Sequence, residues 1–258
     1  LTPFYANELD ALLINEMTTK TAVITGAAKR IGAQIAKTLH AEGYNVVIHY
    51  NTSSELATKL SAEFNKQRPD SAVTVGARLE EPGAAATIVN AARDAWQRLD
   101  CLINCASVYL TSDPEQVDLA QWDEIMQVNL RAPYLLTAES LPLLREVQGS
   151  IVNVTDIYAL RPQPGHPVYC ASKAGLLGLT NALAVDLAPQ VRVNAVAPGP
   201  ILWAEKNDPS YEEIVLAKTP LGRLGGAEAI AHAVSYLASA DFVTGEVVHV
   251  EGGRRLHI

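Results

Sequence analysis

Short apolar runs alternate with longer amphipathic stretches along most of the chain. Seven of these runs have the length of a buried strand, and the pattern predicts strands at residues 20–25, 45–50, 71–77, 101–104, 151–155, 191–197 and 245–250. Apolar residues at helical spacing lie between them and predict helices at 31–42, 53–67, 82–98, 119–147 and 169–188. Strands that are apolar on both faces and alternate with helices are typical of a parallel sheet covered on both sides. The pattern therefore predicts a doubly wound α/β domain with a seven-stranded parallel sheet flanked by helices.

Domain boundaries follow from where this pattern starts and stops. Residues 1–16 fit it poorly, the chain does not begin with methionine, and Met17 lies just before the first predicted strand. We therefore expect residues 1–16 to be an extension upstream of the original start, and residues 17–258 to form a single domain. Residues 198–226 interrupt the pattern, and we expect an irregular segment there with room for a short helix.

The composition narrows the classes of partner. The chain has 258 residues, 48% of them hydrophobic, which suits one domain with a sizeable core. A formal net charge of −8 argues against nucleic acid or an acidic membrane surface as the main partner, and no apolar run approaches the ~18 residues of a membrane span. Three cysteines give no disulfide framework, so we expect a reducing compartment, the cytoplasm. Cys101 and Cys105 are interpreted as buried apolar residues, and we expect no metal site.

A tyrosine and a lysine four residues apart form the strongest candidate for chemistry. Tyr169 and Lys173 fall one helical turn apart, and an ammonium beside a phenol lowers the pKa of the phenol toward neutrality. The alternative is a pair of side chains that only share an exposed face. Asp156 ends the fifth predicted strand thirteen residues before Tyr169, where open α/β sheets place their ligands. The alternative for this aspartate is a cap on the loop that follows.

The first predicted strand runs into a glycine-bearing turn and then a helix. Gly26 lets the backbone approach a phosphate closely, and the N-terminus of the helix presents free N–H groups. Arg30 stands in the middle of this turn, where a guanidinium can contact phosphates directly. The alternative is a strand-to-helix turn that holds no ligand.

The end of the second strand distinguishes NAD from NADP. NAD-binding proteins usually carry an acid there, on the ribose hydroxyls. Here no acid comes before Glu55, and the polar residues at 51–54 can donate hydrogen bonds to a 2′-phosphate, with Lys29 or Arg30 supplying charge. The sequence therefore favours NADPH over NADH. The alternative is a polar connection without a ligand.

Several further motifs occur in a fixed order and spacing. They are T-G-x-x-x-R-x-G at 25–32, N-C-A-S at 104–107, V-N-L around Asn129, the aspartate before Y-x-x-x-K, R-V-N-A-V-A-P-G at 192–199 and E-G-G at 251–253. With them the chain closely resembles the short-chain dehydrogenase/reductase family over residues 19–254, nearly its whole length. Within that family it is similar to the pteridine and dihydromonapterin reductases, which carry an arginine in the glycine turn and an aspartate in place of the usual catalytic serine.

This resemblance implies a Rossmann-like fold, a homotetramer and roles for individual residues. Asp156, Tyr169 and Lys173 would be catalytic, and Asn129 would bend its helix and hold water in a proton relay. Tyr109 would offer an aromatic face to a pterin or folate substrate, which would also contact Arg30, Ser107, Asp156 and Tyr169. NADPH would be bound by Gly26, Lys29, Arg30, Ile31, His49, Tyr50, Asn51, Thr52, Ser53, Leu79, Asn104, Ala106, Ser107, Thr155, Tyr169, Lys173, Pro198, Gly199 and Ile201.

Three positions depart from the family pattern. Arg78 replaces the acid that usually follows the third strand close to the adenine, and Cys105 replaces the second asparagine of N-N-A. Thr52 replaces an arginine that some pteridine reductases carry after the second strand. These departures affect the expected binding of adenosine and leave the chemistry unchanged.

The chemistry of Asp156 helps to distinguish between the candidate classes of substrate. A carboxylate would repel the negative oxygen that forms when a ketone is reduced, whereas it can relay a proton to a ring nitrogen when a pterin C=N bond is reduced. We therefore expect an NADPH-dependent pteridine reductase acting on dihydropterins such as dihydrobiopterin, dihydromonapterin or dihydrofolate. The first alternative is a reductase of a carbonyl such as a 3-oxoacyl thioester, and the second is a non-catalytic NADPH-binding sensor.

Overall fold

A computed structural model describes residues 19–203 and 209–257 of the chain. Within them, seven strands form one sheet in the order β3-β2-β1-β4-β5-β6-β7, and every neighbouring pair is parallel. They are β1 (Thr21–Ile24), β2 (Asn45–Tyr50), β3 (Ala72–Gly76), β4 (Cys101–Asn104), β5 (Ser150–Val154), β6 (Arg192–Pro198) and β7 (Val247–Val250). The predicted seven-stranded parallel sheet is confirmed. The predicted extension at residues 1–16 lies outside the described residues.

Helices cover both faces of this sheet. The described helices are α1 (Arg30–Ala41), α2 (Ser54–Gln67), α3 (Ala84–Trp96), α4 (Leu119–Met126), α5 (Ala132–Glu146), α6 (Pro167–Asp186), α7 (Pro209–Ala217) and α8 (Ala227–Ser239). Helix α7 fills part of the segment expected to be irregular. Sequence analysis assigned no element to α8, although its buried residues have helical spacing. Alanines occupy both buried and partly exposed positions of α8, which weakens the contrast between its two faces and explains the omission.

The stretch predicted as one helix at 119–147 is interrupted. A five-residue π-helical turn, Gln127–Arg131, separates α4 from α5. Such turns widen the helix locally, and they occur frequently at functional sites. Asn129 lies in the middle of this turn and is buried.

The apolar runs of the strands are explained by burial on both sides. Ala22 and Ile24 of β1 pack into one core cluster, while Val23 between them packs into the cluster on the opposite face. In β2, Val46 belongs to the first cluster and Val47 to the second. A strand whose successive side chains enter two different cores has no polar face, so its sequence reads as a continuous apolar run.

Helix α6 combines two properties that sequence analysis did not connect. By length and composition it is apolar enough to cross a membrane, because its alanines and leucines raise the mean hydropathy although polar residues interrupt the apolar run. In the fold it packs against β5 and β6, and Leu176, Thr180 and Leu183 are buried. The helix is thus a core element of this domain.

The order of the strands determines where a ligand can enter. Strand β1 lies between β2 and β4, so the connections that leave the carboxyl ends of β1 and β4 run in opposite directions. This divergence opens a crevice at the carboxyl edge of the sheet, which is where doubly wound sheets bind ligands.

Candidate active site

One large cavity of about 630 Å³ extends along this carboxyl edge. It is lined by residues that follow β1, β2 and β3 at one end and by residues that follow β4, β5 and β6 at the other. Nearly all the residues that sequence analysis assigned to the cofactor and substrate line this cavity. The exceptions are Asn104 and Asn129, both of which are buried behind it.

The glycine turn after β1 is fixed to the end of β4. The hydroxyl oxygen of Thr25 accepts hydrogen bonds from the N–H groups of Cys105 at 2.9 Å and Ala106 at 3.0 Å. Gly26 adopts a φ of +66°, and a Cβ there would lie 3.0 Å from the Cα of Ala106. A Cβ on Gly32 would lie only 2.3 Å from the carbonyl oxygen of Gly26. Both glycines are required because the turn and the first turn of α1 approach each other too closely for a side chain.

A buried histidine supports this turn from below. The N–H of Gly26 donates to Nδ1 of His49 at 3.1 Å, so Nε2 carries the ring proton and donates to the carbonyl oxygen of Ala77 at 3.0 Å. Burial lowers the pKa of His49, which favours this neutral form. His49 therefore links the turn after β1 to the end of β3, in addition to lining the cavity.

Arg30 occupies a backbone conformation that usually requires glycine. Its φ is +53° at the start of α1, and its guanidinium Nη2 donates to the carbonyl oxygen of Trp203 at 3.2 Å. A non-glycine residue in this region is strained by about 1 kcal/mol or more, and such strain concentrates at functional sites. The side chain connects the two walls of the cavity, and this contact gives a reason for an arginine at this position.

The far end of the cavity carries the polar residues expected after β2. Asn51, Thr52 and Ser53 line it, and the carboxylates nearest to this end come from other elements. Glu80, after β3, lines the cavity and is paired with Arg78, whose Nη2 lies 2.6 Å from Oε1 of the glutamate. The arginine that replaces the family's usual acid is therefore accompanied by a carboxylate two residues later.

Tyr169 and Asp156 form a direct hydrogen bond at the other end. The phenol oxygen of Tyr169 donates to Oδ2 of Asp156 at 2.8 Å, and Oδ1 of the same carboxylate accepts from the N–H of Tyr158 at 2.9 Å. The second contact caps a short 3₁₀ turn, Ile157–Ala159. Asp156 thus has both of the roles that sequence analysis treated as alternatives: it caps a turn and it contacts the candidate catalytic tyrosine.

The expected lowering of the pKa of Tyr169 by Lys173 is wrong. Burial, followed by the charge of Asp156, raises the pKa of Tyr169 well above its ordinary value. Lys173 Nζ instead donates to the carbonyl oxygen of Val154 at 2.9 Å and lies 5.8 Å from the centre of the tyrosine ring. Burial lowers the pKa of Lys173 to about 8. Burial also raises the pKa of Asp156, so Tyr169 is a protonated donor beside a carboxyl group that binds a proton more readily than usual.

The side chain of Asn129 is fully occupied by protein groups. Its Oδ1 accepts from the Ser107 hydroxyl at 3.2 Å and the Val108 N–H at 2.8 Å. Its Nδ2 donates to the Val108 carbonyl at 2.9 Å and the Ser172 hydroxyl at 3.0 Å. The side chain therefore joins the loop after β4 to α6, and it has no remaining donor or acceptor with which to hold a relay water.

Tyr109 stands at the mouth of the cavity, half exposed. One face of its ring stacks on His166 at 4.5 Å between ring centres, and the ring of Tyr169 stands perpendicular to it at 4.7 Å. Its hydroxyl donates to Oε1 of Gln163 at 3.2 Å. Because Tyr109 lines the cavity and is half exposed, part of its ring is open to a flat substrate.

Sequence analysis missed most of the residues around the substrate end. Tyr158, Trp203, Tyr211, Val215 and Arg254 all line the cavity there. Trp203 and Tyr211 belong to the segment interpreted as irregular, and large aromatic residues in such a segment were the available signal. Arg254 follows β7 and reaches the site only because β7 lies next to β6 in the sheet.

Asn104 is the one expected cofactor ligand that the cavity excludes. It is buried, and its Nδ2 donates to Oδ1 of Asn153 on the neighbouring strand at 2.8 Å. The Nδ2 of Asn153 in turn donates to the hydroxyl of Thr180 at 2.9 Å. The two asparagines therefore connect β4 and β5 to α6 beneath the site.

Comparison with known proteins shows similarity over most of the chain. A family model described as Enoyl-(Acyl carrier protein) reductase matches residues 26–255. Nodulation protein G of a Rhizobium species is 36% identical over 244 residues, covering 92% of this chain and 98% of that protein. The 3-oxoacyl-(acyl-carrier-protein) reductase FabG of Staphylococcus aureus is 33% identical over 242 residues, covering 91% and 98%. Pteridine reductase 1 of Leishmania tarentolae is 34% identical over 282 aligned positions, covering 93% and 97%.

Proposed function

The chain belongs to the short-chain dehydrogenase/reductase family, and from this premise we propose that it is an NADPH-dependent reductase of pteridines. The observation that carries the proposal is the hydrogen bond from Tyr169 to Asp156. A carboxyl group beside the candidate proton donor suits the protonation of a ring nitrogen better than the stabilisation of an oxyanion.

The residues of the cavity fit a nicotinamide dinucleotide. Gly26 and Gly32 leave a cradle that a Cβ would fill, and the N-terminus of α1 opens onto it. Arg30 and the polar residues after β2 would hold phosphate groups at this end, and the absence of a carboxylate among residues 51–54 supports NADPH over NADH. When bound, the cofactor supplies the hydride. Lys173 would contact its nicotinamide half, where the cavity passes β5 and α6.

The proton would come from Tyr169. Reduction of a C=N bond adds a hydride to carbon and a proton to nitrogen, and a neutral phenol in the cavity can deliver that proton from its Oη. The carboxylate of Asp156, which accepts from the same Oη, would then take up a proton from solvent water and pass it to the phenolate. Asn129 contributes indirectly, because its four hydrogen bonds hold the loop that carries Ser107 and Tyr109.

A second candidate is the reduction of a 3-oxoacyl thioester. The observation in its favour is that a relative named for that activity is 33% identical, close to the 34% of the pteridine reductase. The observation against it is the carboxylate of Asp156, which would lie beside the developing negative oxygen of a ketone.

A substrate panel separates these functions. Dihydrobiopterin, dihydrofolate and an acetoacetyl thioester are each supplied with the protein and NADPH, and oxidation of NADPH is followed by absorbance. We expect turnover with the dihydropterins and little with the thioester. The reverse order would reject pteridine reduction, and turnover with none of them would favour a protein that binds NADPH without catalysis.

The proposed assembly is a homotetramer in the cytoplasm. An apolar surface groove runs between the π turn and α6, and small residues of α6, namely Gly175, Gly178 and Ala182, line one side of it. A helix face of small residues allows another helix to approach closely, which supports association of copies of this chain. The three free cysteines are consistent with a reducing compartment.

A further inference from the structure

An arginine with no ion-pair partner faces the substrate end of the cavity. Arg254 begins a short 3₁₀ turn, Arg254–Leu256, directly after Gly252 and Gly253. Its Nη1 donates to the carbonyl oxygen of Val215 near the end of α7 at 2.9 Å. Across residues 19–203 and 209–257, no carboxylate lies within ion-pair distance of this guanidinium. Its remaining N–H donors are therefore available to a ligand.

The neighbouring arginine shows a different arrangement. Arg255 is exposed, and its Nε lies 3.3 Å from Oε1 of Glu251. Arg255 does not line the cavity, whereas the half-buried Arg254 does. The two consecutive arginines thus have separate surroundings: Arg255 is paired with a carboxylate at the surface, and Arg254 in the cavity has no carboxylate partner among the described residues.

The other charges of the substrate end are already engaged. The carboxylate of Asp156 accepts from Tyr169 and Tyr158, and the ammonium of Lys173 donates to Val154. Arg254 is close enough to Tyr158 for its charge to oppose the rise in the pKa of that phenol. A cation that is partly removed from water without a counter-charge is unfavourable, and an anionic group on the ligand would relieve this.

We propose that Arg254 binds a carboxylate on the substrate, so that the preferred substrate is a pterin with an acidic tail, of the folate type, rather than one with a short neutral side chain. This rests on the proposed pteridine reductase function. A pterin ring held by Asp156, Tyr169 and Tyr109 would leave its tail in the same cavity, which Tyr158, Tyr211 and Arg254 also line. The planar guanidinium suits a carboxylate because it can donate two parallel hydrogen bonds.

A purely structural role for Arg254 makes a different prediction. Its bond to Val215 could serve only to hold α7 against the site. Loss of the side chain would then loosen the wall of the cavity and impair all substrates by the same factor. A carboxylate-binding role affects only the substrate that carries the carboxylate.

The decisive experiment compares dihydrofolate with dihydrobiopterin in three variants. Arg254→Gln removes the charge, Arg254→Lys keeps it with a poorer fit, and Arg255→Gln is the matched control. In Arg254→Gln we expect the KM for dihydrofolate to rise ~10- to 100-fold, as for the loss of a charge-assisted bond. The KM for dihydrobiopterin and both kcat values should stay within about twofold, Arg254→Lys should recover part of the loss, and Arg255→Gln should resemble the wild type.

Two outcomes would overturn the inference. One is an equal rise in KM for both substrates, and the other is no change for dihydrofolate. If the wild type turns over neither pterin, the proposed function fails separately. Equilibrium titration of dihydrofolate and dihydrobiopterin against the NADPH-bound protein, read by tryptophan fluorescence, then still decides whether Arg254 selects the acidic tail.

Discussion

Tyr169 donates its phenolic hydrogen to a carboxylate oxygen of Asp156 over 2.8 Å, while the amine of Lys173 is directed at a main-chain carbonyl. Tyr169 and Asp156 both have a raised pKa, chiefly because they are buried. The site therefore holds a neutral phenol next to a carboxyl group that retains protons more readily than usual. This arrangement favours proton donation over proton abstraction.

Replacement of Asp156 by asparagine tests the proton relay. The amide keeps the shape and can still accept from the N–H of Tyr158, but it cannot exchange a proton. We expect kcat for dihydropterin reduction to fall by ~10²–10⁴, the usual contribution of positioned acid–base catalysis. NADPH affinity and thermal stability should be preserved or improved, since a buried carboxylate is removed. If this variant kept the wild-type rate across pH 5 to 8, Asp156 would serve only as a turn cap.

Replacement of Asp156 by serine addresses substrate class. A neutral hydroxyl can donate to the oxygen of a ketone, whereas the carboxylate repels its developing charge. We expect Asp156→Ser to gain measurable reduction of a simple ketone or acetoacetyl thioester while losing dihydropterin activity. Steady-state assays of both substrates on both proteins check this. An unchanged ratio of the two activities would contradict it.

Two substitutions at Arg30 separate the effect of its backbone strain from the effect of its guanidinium group. Arg30→Ala and Arg30→Gly both remove the guanidinium, and we expect each to weaken NADPH binding by ~1.5–3 kcal/mol, the worth of a charged hydrogen bond. Only glycine relieves the positive φ of +53°, so Arg30→Gly should be more stable than Arg30→Ala by ~1 kcal/mol. Fluorescence titration and urea unfolding measure the two effects. NADH bound as tightly as NADPH by the wild type would contradict the proposed cofactor preference.

We expect Tyr109 to contact the substrate through the exposed part of its ring. We expect Tyr109→Ala to raise the KM for a dihydropterin while the affinity for NADPH is unchanged. Tyr109→Phe is the control, because it keeps the ring on His166 and loses only the hydrogen bond to Gln163. Parallel changes in KM and NADPH affinity in the alanine variant would show that the ring mainly packs the loop.

The lowered pKa of Lys173 predicts that the free energy of unfolding depends on pH. Burial lowers its pKa from 10.5 to about 8, so between these values the unfolded chain binds more protons than the folded one. The free energy of unfolding should therefore rise with pH over this window through Lys173. Below about pH 8 the lysine is charged in both states, so the cost of burying its charge is constant and adds no pH dependence. Urea unfolding of wild type and Lys173→Met at several pH values isolates the effect. A constant difference between the two proteins would contradict it.

The homotetramer is tested by light scattering at micromolar concentration. We expect the mass of four chains, and a monomer would reject the proposal. Gly178→Trp places a bulky side chain in the groove beside α6, at a position where no atom lies within 4 Å of an added Cβ. Folding should therefore be unaffected while association weakens.

The sheet could be predicted because inner strands such as β1 and β2 are buried on both faces and therefore read as apolar runs. Helix α8 could not, since its alanines are spread around the helix and blur the amphipathic pattern. The positions of Asp156, Tyr169 and Lys173 followed from spacing, but the direction of the Tyr169 pKa did not. That direction depends on the burial of the phenol and on the charge of Asp156 beside it, while the amine of Lys173 donates to a carbonyl nineteen residues away in sequence.

The substrate end was less predictable for a topological reason. Arg254 and Tyr158 are almost a hundred residues apart in the chain and meet because the segments after β5 and β7 converge at the same edge of the sheet. Asn104 belongs to a motif of the family and was therefore expected to contact the cofactor, but it lies beneath the cavity, where it connects two strands. Spacing in the sequence predicts which residues share one helix or strand. Contacts between elements depend on the order and register of the strands in the sheet, which spacing does not give.

His49 gives the molecule an internal spectroscopic reporter. Because Gly26 donates to one ring nitrogen and the other donates to Ala77, only one tautomer fits, and its two nitrogens are chemically distinct. Nitrogen NMR should therefore show one protonated and one unprotonated imidazole resonance, with the ring proton shielded from exchange with water. The unprotonated resonance would move when a ligand enters the adjoining turn. Occupancy of the turn could thus be followed in the resting protein, with no substrate added and no turnover needed.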